Sequence, residues 1–121
     1  MDRRALGNAG EQAAARYLES RGLRIIDRGW RARTGEIDLV ARDGDEVVFV
    51  EVKTRMPGEY GAPEEAVTAA KRRSLRATAC LYLDAHGLSD AAYRIDVVAV
   101  TIETGNRARI RHILSAVDDD D

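Results

Sequence analysis

GEIDLVARDGDEVVFVEVKTR, residues 35–55, decides the fold. Two segments of strand-forming residues, Glu36–Ala41 and Glu46–Arg55, flank Arg42-Asp43-Gly44-Asp45, a hairpin signal of the Asp-Gly kind. In the second segment, alternation puts Val47, Phe49, Glu51 and Lys53 on one face and Val48, Val50 and Val52 on the other. Both faces are apolar up to Glu51, as expected of a central strand. Asp38, Glu51 and Lys53 therefore stand inside segments that otherwise look buried. A buried charge is costly unless it is paired, hydrogen-bonded or bound to a metal.

A two-residue turn at Asp43-Gly44 would pair Arg42 with Asp45, a register with residue numbers summing to 87. Asp38 then lies opposite Phe49 and Glu36 opposite Glu51. Asp38 and Glu51 become diagonal neighbours on one face, about 7–8 Å apart along the ladder. From there two carboxylates can lean together onto one cation. A one-residue change in turn length would send Asp38 to the other face.

Outward from this hairpin, Leu6, Ala13, Tyr17 and Leu18 recur at helical spacing, predicting a helix from about Arg3 to Arg21 with Gly22 as its stop. Glu11 borders the apolar stripe of that helix, and Gly7 and Gly10 would let it approach a sheet closely. Leu23–Arg33 reads as a strand. After a loop over Met56–Pro63, Leu75, Ala79, Tyr82 and Leu83 predict a second helix, capped by Thr68 and ended by Gly87. Tyr93–Ile102 is a strong strand, and Thr104-Gly105-Asn106 turns into a last one around Arg109–Leu114. The order helix, three strands, helix, two strands predicts an α/β or α+β fold with helices packed on a mixed sheet.

With 121 residues, the chain fits one domain, residues 1–117, followed by an acidic tail, Asp118–Asp121, expected to be disordered. The charged content of 33% and hydrophobic content of 45% argue for a soluble globular protein. No apolar run is long enough for a membrane span and the first residues lack a signal-peptide core, so a cytoplasmic location without membrane attachment is expected. The net charge of −2 does not announce a nucleic-acid binder, but setting the four tail acids aside leaves a slight basic excess. Lys53 and Lys71 are the only lysines among 19 basic residues.

The candidate chemistry is metal-assisted hydrolysis of a phosphodiester. Asp38 and Glu51, with Glu11 in support, offer the hard oxygen ligands Mg²⁺ or Mn²⁺ takes. Lys53 would orient water and offset charge developing on phosphorus. Lys71, Arg72, Arg73 and Arg76 begin the second helix and could meet phosphates. The competing account is a structural Glu51–Lys53 ion pair. Arg94 and Asp96 read as a structural pair within their strand, Trp30 as a packing anchor, and Cys80 as a small core residue. His86 and His112 read as isolated residues at the surface or a strand edge.

The chain resembles the YraN-like family of small bacterial proteins, which look like members of the PD-(D/E)XK, or restriction-endonuclease-like, superfamily. The resemblance rests on Gly10-Glu11, Gly35-Glu36-Ile37-Asp38-Leu39 and Phe49-Val50-Glu51-Val52-Lys53-Thr54-Arg55. It continues through Glu65-Ala66-Val67, Lys71, Tyr82-Leu83 and Arg94-Ile95-Asp96-Val97-Val98. It implies a restriction-endonuclease-like core and a Mg²⁺-dependent nuclease site. Asp38 matches the motif aspartate, Glu51 the second carboxylate and Lys53 the motif lysine. Glu11 matches the helix glutamate of Holliday-junction-resolvase-like members. Ile37 stands where the motif's proline would be. Nucleic acid, DNA ahead of RNA, is the implied partner, with Lys71, Arg72 and Arg55 as contacts and a homodimer as the implied assembly. The superfamily also includes modules that bind without cutting, so a non-catalytic nucleic-acid-binding or assembly module is the second expectation.

Overall fold

The computed structural model describes residues 2–58 and 67–117. The Met56–Pro63 loop beyond Gly58, the Glu65-Ala66 part of the family pattern and the acidic tail lie outside them. The elements run α1 (Arg3–Ser20), β1 (Arg24–Ala32), β2 (Gly35–Asp43), β3 (Glu46–Arg55), α2 (Ala69–Ala85), β4 (Tyr93–Glu103) and β5 (Arg107–Val117). A short 3₁₀ turn, Thr104–Asn106, joins the last two strands. The strands form one sheet in the order β1-β2-β3-β4-β5. Every neighbouring pair is antiparallel except β3 and β4, which run parallel. A parallel pair needs a long crossover, and α2 supplies its helix.

Both helices are closed by local chemistry. Asp2 Oδ1 accepts a hydrogen bond from the Ala5 amide at 2.7 Å, and Thr68 Oγ1 accepts from the Lys71 amide at 3.1 Å. At the other end of α1 the Leu23 amide returns to the Leu18 carbonyl and that of Gly22 to Glu19. Gly22 takes the left-handed φ of 93° that this Schellman closure requires. The end of α2 repeats the motif around Gly87.

The two helices cover opposite faces of the sheet. Leu18, Ala14 and Ala15 of α1 pack with Leu39, Val48, Val50, Val98 and Val100. Leu75, Ala79, Tyr82 and Leu83 of α2 pack with Val40, Val47, Phe49, Ile95 and Val97. Trp30 meets Tyr82 edge to face, the packing role expected of it. Gly10 is where α1 comes closest to β3: a Cβ there would collide with three side-chain atoms of Thr54. Gly7, expected to share that role, has open space at its Cβ position.

The hairpin register differs from the expected one. Asp43 pairs with Glu46 and Leu39 with Val50, so paired numbers sum to 89. Gly44, with φ of 61°, is the first residue of the turn instead of the second. Two-residue hairpins accept glycine at either central position, and this chain takes the glycine-first form. The shift is two residues, which preserves parity and keeps Asp38 and Glu51 on one face.

Candidate functional site

The pairing of β2 with β3 stops at Leu39 and Val50, and one step further the same register sets Asp38 across from Glu51. There the two strands part. Val52 N donates to Asp38 Oδ2 at 2.8 Å, so a side chain replaces the backbone carbonyl that a continued ladder would have offered. Asp38 and Glu51 therefore face each other directly, not on the diagonal, and a hydrogen bond links their carboxyl groups. Glu36, expected opposite Glu51, instead pairs across to Arg31 of β1, with 3.2 Å between charged atoms.

Two carboxyl groups this close cannot both ionise freely. Burial, then the hydrogen bond and charge of Glu51, push Asp38 up to about 7, against the opposing pull of the Val52 amide and Lys71. Glu51 is 4% exposed. Its counter-ion is Lys71 of α2, whose Nζ lies 3.2 Å from Glu51 Oε2. Lys53, expected as the ion-pair partner, shares the face of Glu51 but has no partner among the described residues. It is half-buried near the end of β3, two residues beyond Glu51.

The position of α2 explains Lys71. The hydroxyl of Ser74 donates to the Thr34 carbonyl, and Thr34 and Thr78 share a hydrogen bond of 2.7 Å. Gly35 lets this contact close, since a Cβ there would stand 2.5 Å from Ser74 Oγ. The turn between β1 and β2 thus anchors the first turns of α2, and Lys71 arrives at Glu51. Arg72, on the adjacent position, donates instead to the Val67 carbonyl at 2.7 Å. Arg55 lies half-buried at the last position of β3.

Glu11 faces the same region from α1. Burial, then the charges of Asp38 and Glu36, raise its pKa, while Arg28 lowers it. Among the described residues no group of three or more histidine, cysteine, aspartate or glutamate side chains gathers as a ready-made metal cage. The donor set nonetheless suits a hard divalent cation. Asp38 and Glu51 could supply two oxygen ligands whose mutual repulsion a cation would relieve, with the charge of Glu11 alongside.

A second polar cluster lies at the hairpin end of β3. Asp96 is fully buried and accepts from Arg94 Nε at 3.1 Å, from His112 Nε2 at 2.8 Å and from the Ser115 amide at 2.9 Å. The Arg94–Asp96 pair is the expected one. His112 is not isolated: it also meets the Tyr17 hydroxyl through Nδ1 at 3.2 Å. Spacing on one strand could not reveal the Ser115 contact, because a bulge in β5 carries Ser115, with φ of 50°, toward Asp96. Arg94 further binds Asp43 and Glu46. Burial opposes its charge, but Asp96 and these partners outweigh that and raise its pKa. Cys80, expected in the core, is exposed, on the outer side of α2.

Two helices on opposite faces of a mixed five-stranded sheet, with a carboxyl pair where β2 leaves β3, define an α+β protein with the element order of the restriction-endonuclease-like core. The chain belongs to the uncharacterised protein family UPF0102, whose model matches residues 10–100. It is 49% identical over 112 residues to a UPF0102 protein of Rhodococcus jostii, covering 93% of this chain and 95% of that one. A UPF0102 protein of Symbiobacterium thermophilum is 53% identical over 113 residues, covering 93% and 96%. A UPF0102 protein of Geobacter sulfurreducens is 50% identical over 111 residues, covering 92% and 87%. Among solved structures, Pyrococcus furiosus SfsA in complex with Ca²⁺ aligns with a TM-score of 0.43 at 19% identity, covering 94% of this chain and 64% of that one. No helix among the described residues is long and apolar enough to cross a membrane.

Proposed function

We propose that this protein is a divalent-metal-dependent nuclease, hydrolysing phosphodiester bonds in DNA ahead of RNA. One observation carries the reading: Asp38 and Glu51 are held in hydrogen-bond contact, with Lys53, which has no partner among the described residues, on the same face. Two carboxyl groups pressed together cost folding energy, and a metal site is a reason to keep them.

Asp38 and Glu51 would hold Mg²⁺ or Mn²⁺, with Glu11 acting through waters. The cation, when bound, neutralises phosphate charge and acidifies water. Lys53 orients the attacking water and offsets charge developing on the phosphoryl oxygens. Lys71 holds Glu51 in place through their ion pair. The Val52 amide fixes Asp38 by occupying one of its oxygens.

The Lys71–Glu51 ion pair favours a second reading. A buried carboxylate that already has a counter-ion fits a non-catalytic nucleic-acid-binding or assembly module. Cleavage assays on branched, nicked, single-stranded and linear DNA and RNA with Mg²⁺ or Mn²⁺ decide between them. Metal-dependent cleavage abolished by Asp38→Ala and by Lys53→Ala is the expected result. Cleavage unchanged in those variants sinks the nuclease assignment. Salt-sensitive binding without cleavage, surviving both substitutions, supports the module.

A further inference from the structure

The α2 face of the sheet is only partly covered by α2. The helix packs over β1, β2 and the hairpin-side parts of β3 and β4, and its first turns reach Glu51. Beyond Glu51 the same face continues across the ends of β3, β4 and β5. Pairing fixes which side chains lie there. Glu51 aligns with Val97 and Ile113, Lys53 with Ala99 and Arg111, and Arg55 with Thr101 and Arg109; Arg107 follows opposite Glu103. The face assignment is secure because Ile113 packs in the α2-side core and Ile110 in the α1-side core.

These rows form a shallow basic trough. Lys53 and Arg55 rise on β3; Arg107, Arg109 and Arg111 rise on β5. The two ridges are two strand spacings apart, about 10 Å. Between them β4 presents only small residues, Ala99 and Thr101, as the floor. Beyond Glu51, Glu103 is the single acidic residue in these rows and pairs with Arg109 at 2.9 Å, a contact 74% exposed on the arginine side and therefore weak. In a chain of net charge −2, this is a local accumulation of positive charge. Charged residues on an edge strand also discourage aggregation, which would account for β5 alone. It does not account for Lys53 and Arg55, which lie on the central strand.

We propose that this trough seats the phosphate backbone of duplex DNA and leads it to the Asp38–Glu51 pair, a proposal that rests on the nucleic-acid reading above. Charge complementarity supplies the polyanion. The described side chains around it narrow its form. Proteins that hold single strands stack bases on aromatic rings. Among the described residues, Trp30, Phe49, Tyr82 and Tyr93 are packed with the α2-side core and Tyr17 lies against His112, so none lines the trough. Duplex RNA is read largely through its 2′-hydroxyls, and the trough offers one neutral hydroxyl, Thr101. Arginines without rings suit a duplex held by its phosphates.

The test is fluorescence anisotropy with a labelled 25-base-pair DNA duplex in EDTA, which separates binding from cleavage, across a salt series. Arg109→Gln/Arg111→Gln should weaken binding about tenfold and flatten the dependence of log K on log salt by about one for each phosphate no longer neutralised. Arg109→Gln alone, at a highly exposed position, should show part of the loss without affecting folding. Arg24→Gln, at the opposite sheet edge, should leave binding unchanged. Duplex binding unaffected by the arginine substitutions overturns the trough, even if metal-dependent cleavage is found. Tighter arginine-dependent binding of single strands or duplex RNA overturns the DNA-duplex assignment. Arginine-dependent duplex binding without cleavage under any metal upholds the trough and sinks the nuclease reading. No nucleic-acid binding by the unsubstituted protein at low salt sinks both.

Discussion

Asp38 and Glu51 stand across from each other at the point where β2 leaves β3, their carboxyl groups joined by a hydrogen bond. Each is held from outside the pair, Asp38 by the Val52 amide and Glu51 by Lys71. Fixed from both sides, the two groups cannot separate to lower their repulsion, and Asp38 keeps its proton to about pH 7.

The first prediction follows from that proton. Asp38 titrates near 3.8 when unfolded and near 7 when folded, so the folded state binds more protons between those values. The stability linked to this carboxyl is fully present below pH 3.8 and is lost as pH rises through about 7. Asp38→Asn, which keeps an acceptor for Val52 N, should stabilise the protein at pH 8 by about 1–3 kcal/mol. The gain should shrink toward pH 5. Urea denaturation at the two pH values checks it; equal gains would show that the repulsion is absent.

Divalent cations should substitute for the missing countercharge. Millimolar Mg²⁺ or Mn²⁺ should raise Tm at pH 8, and EDTA should reverse the rise. Asp38→Asn and Glu51→Gln should each remove most of the effect. A Tm increase that persists in both variants would place the metal elsewhere.

Lys71→Met tests the counter-ion. It leaves Glu51, 4% exposed, beside Asp38 without its cation, at a cost of about 1–3 kcal/mol. The variant should recover more Tm from Mg²⁺ than the unsubstituted protein does. Equal recovery would mean that Lys71 does not compensate charge at the pair.

Two glycines on one helix should respond oppositely to alanine. Gly10→Ala drives a Cβ into Thr54 and should cost about 1–3 kcal/mol, pushing α1 away from β3. Gly7→Ala meets open space and should stabilise by about 0.5–1 kcal/mol through helix propensity alone. Thermal melts of the two single variants compare them directly.

Asp96→Ala removes the acceptor shared by Arg94, His112 and the Ser115 amide. The loss should reach about 3–5 kcal/mol, because two side chains and a backbone amide are left without it. Backbone NMR shifts should change most at Ser115, whose φ of 50° this carboxylate supports.

Much of this is legible in the sequence. The alternation in β3 and the apolar periodicity of α1 and α2 depend on local side-chain order, so sequence alone determined element order, helix limits and the face shared by Glu51 and Lys53. Asp38 stayed on that face even though the turn slipped, because strand faces depend only on the parity of the shift. Tertiary structure decided the rest. Whether Gly44 comes first or second in the turn set the carboxyls opposite instead of diagonal. The docking of Ser74 on Thr34 brought Lys71, not Lys53, to Glu51. The bulge in β5 gave Asp96 a hydrogen bond from Ser115 that its strand spacing does not encode. Contacts between residues far apart in the chain depend on how whole elements pack, and no local pattern of residues carries that information.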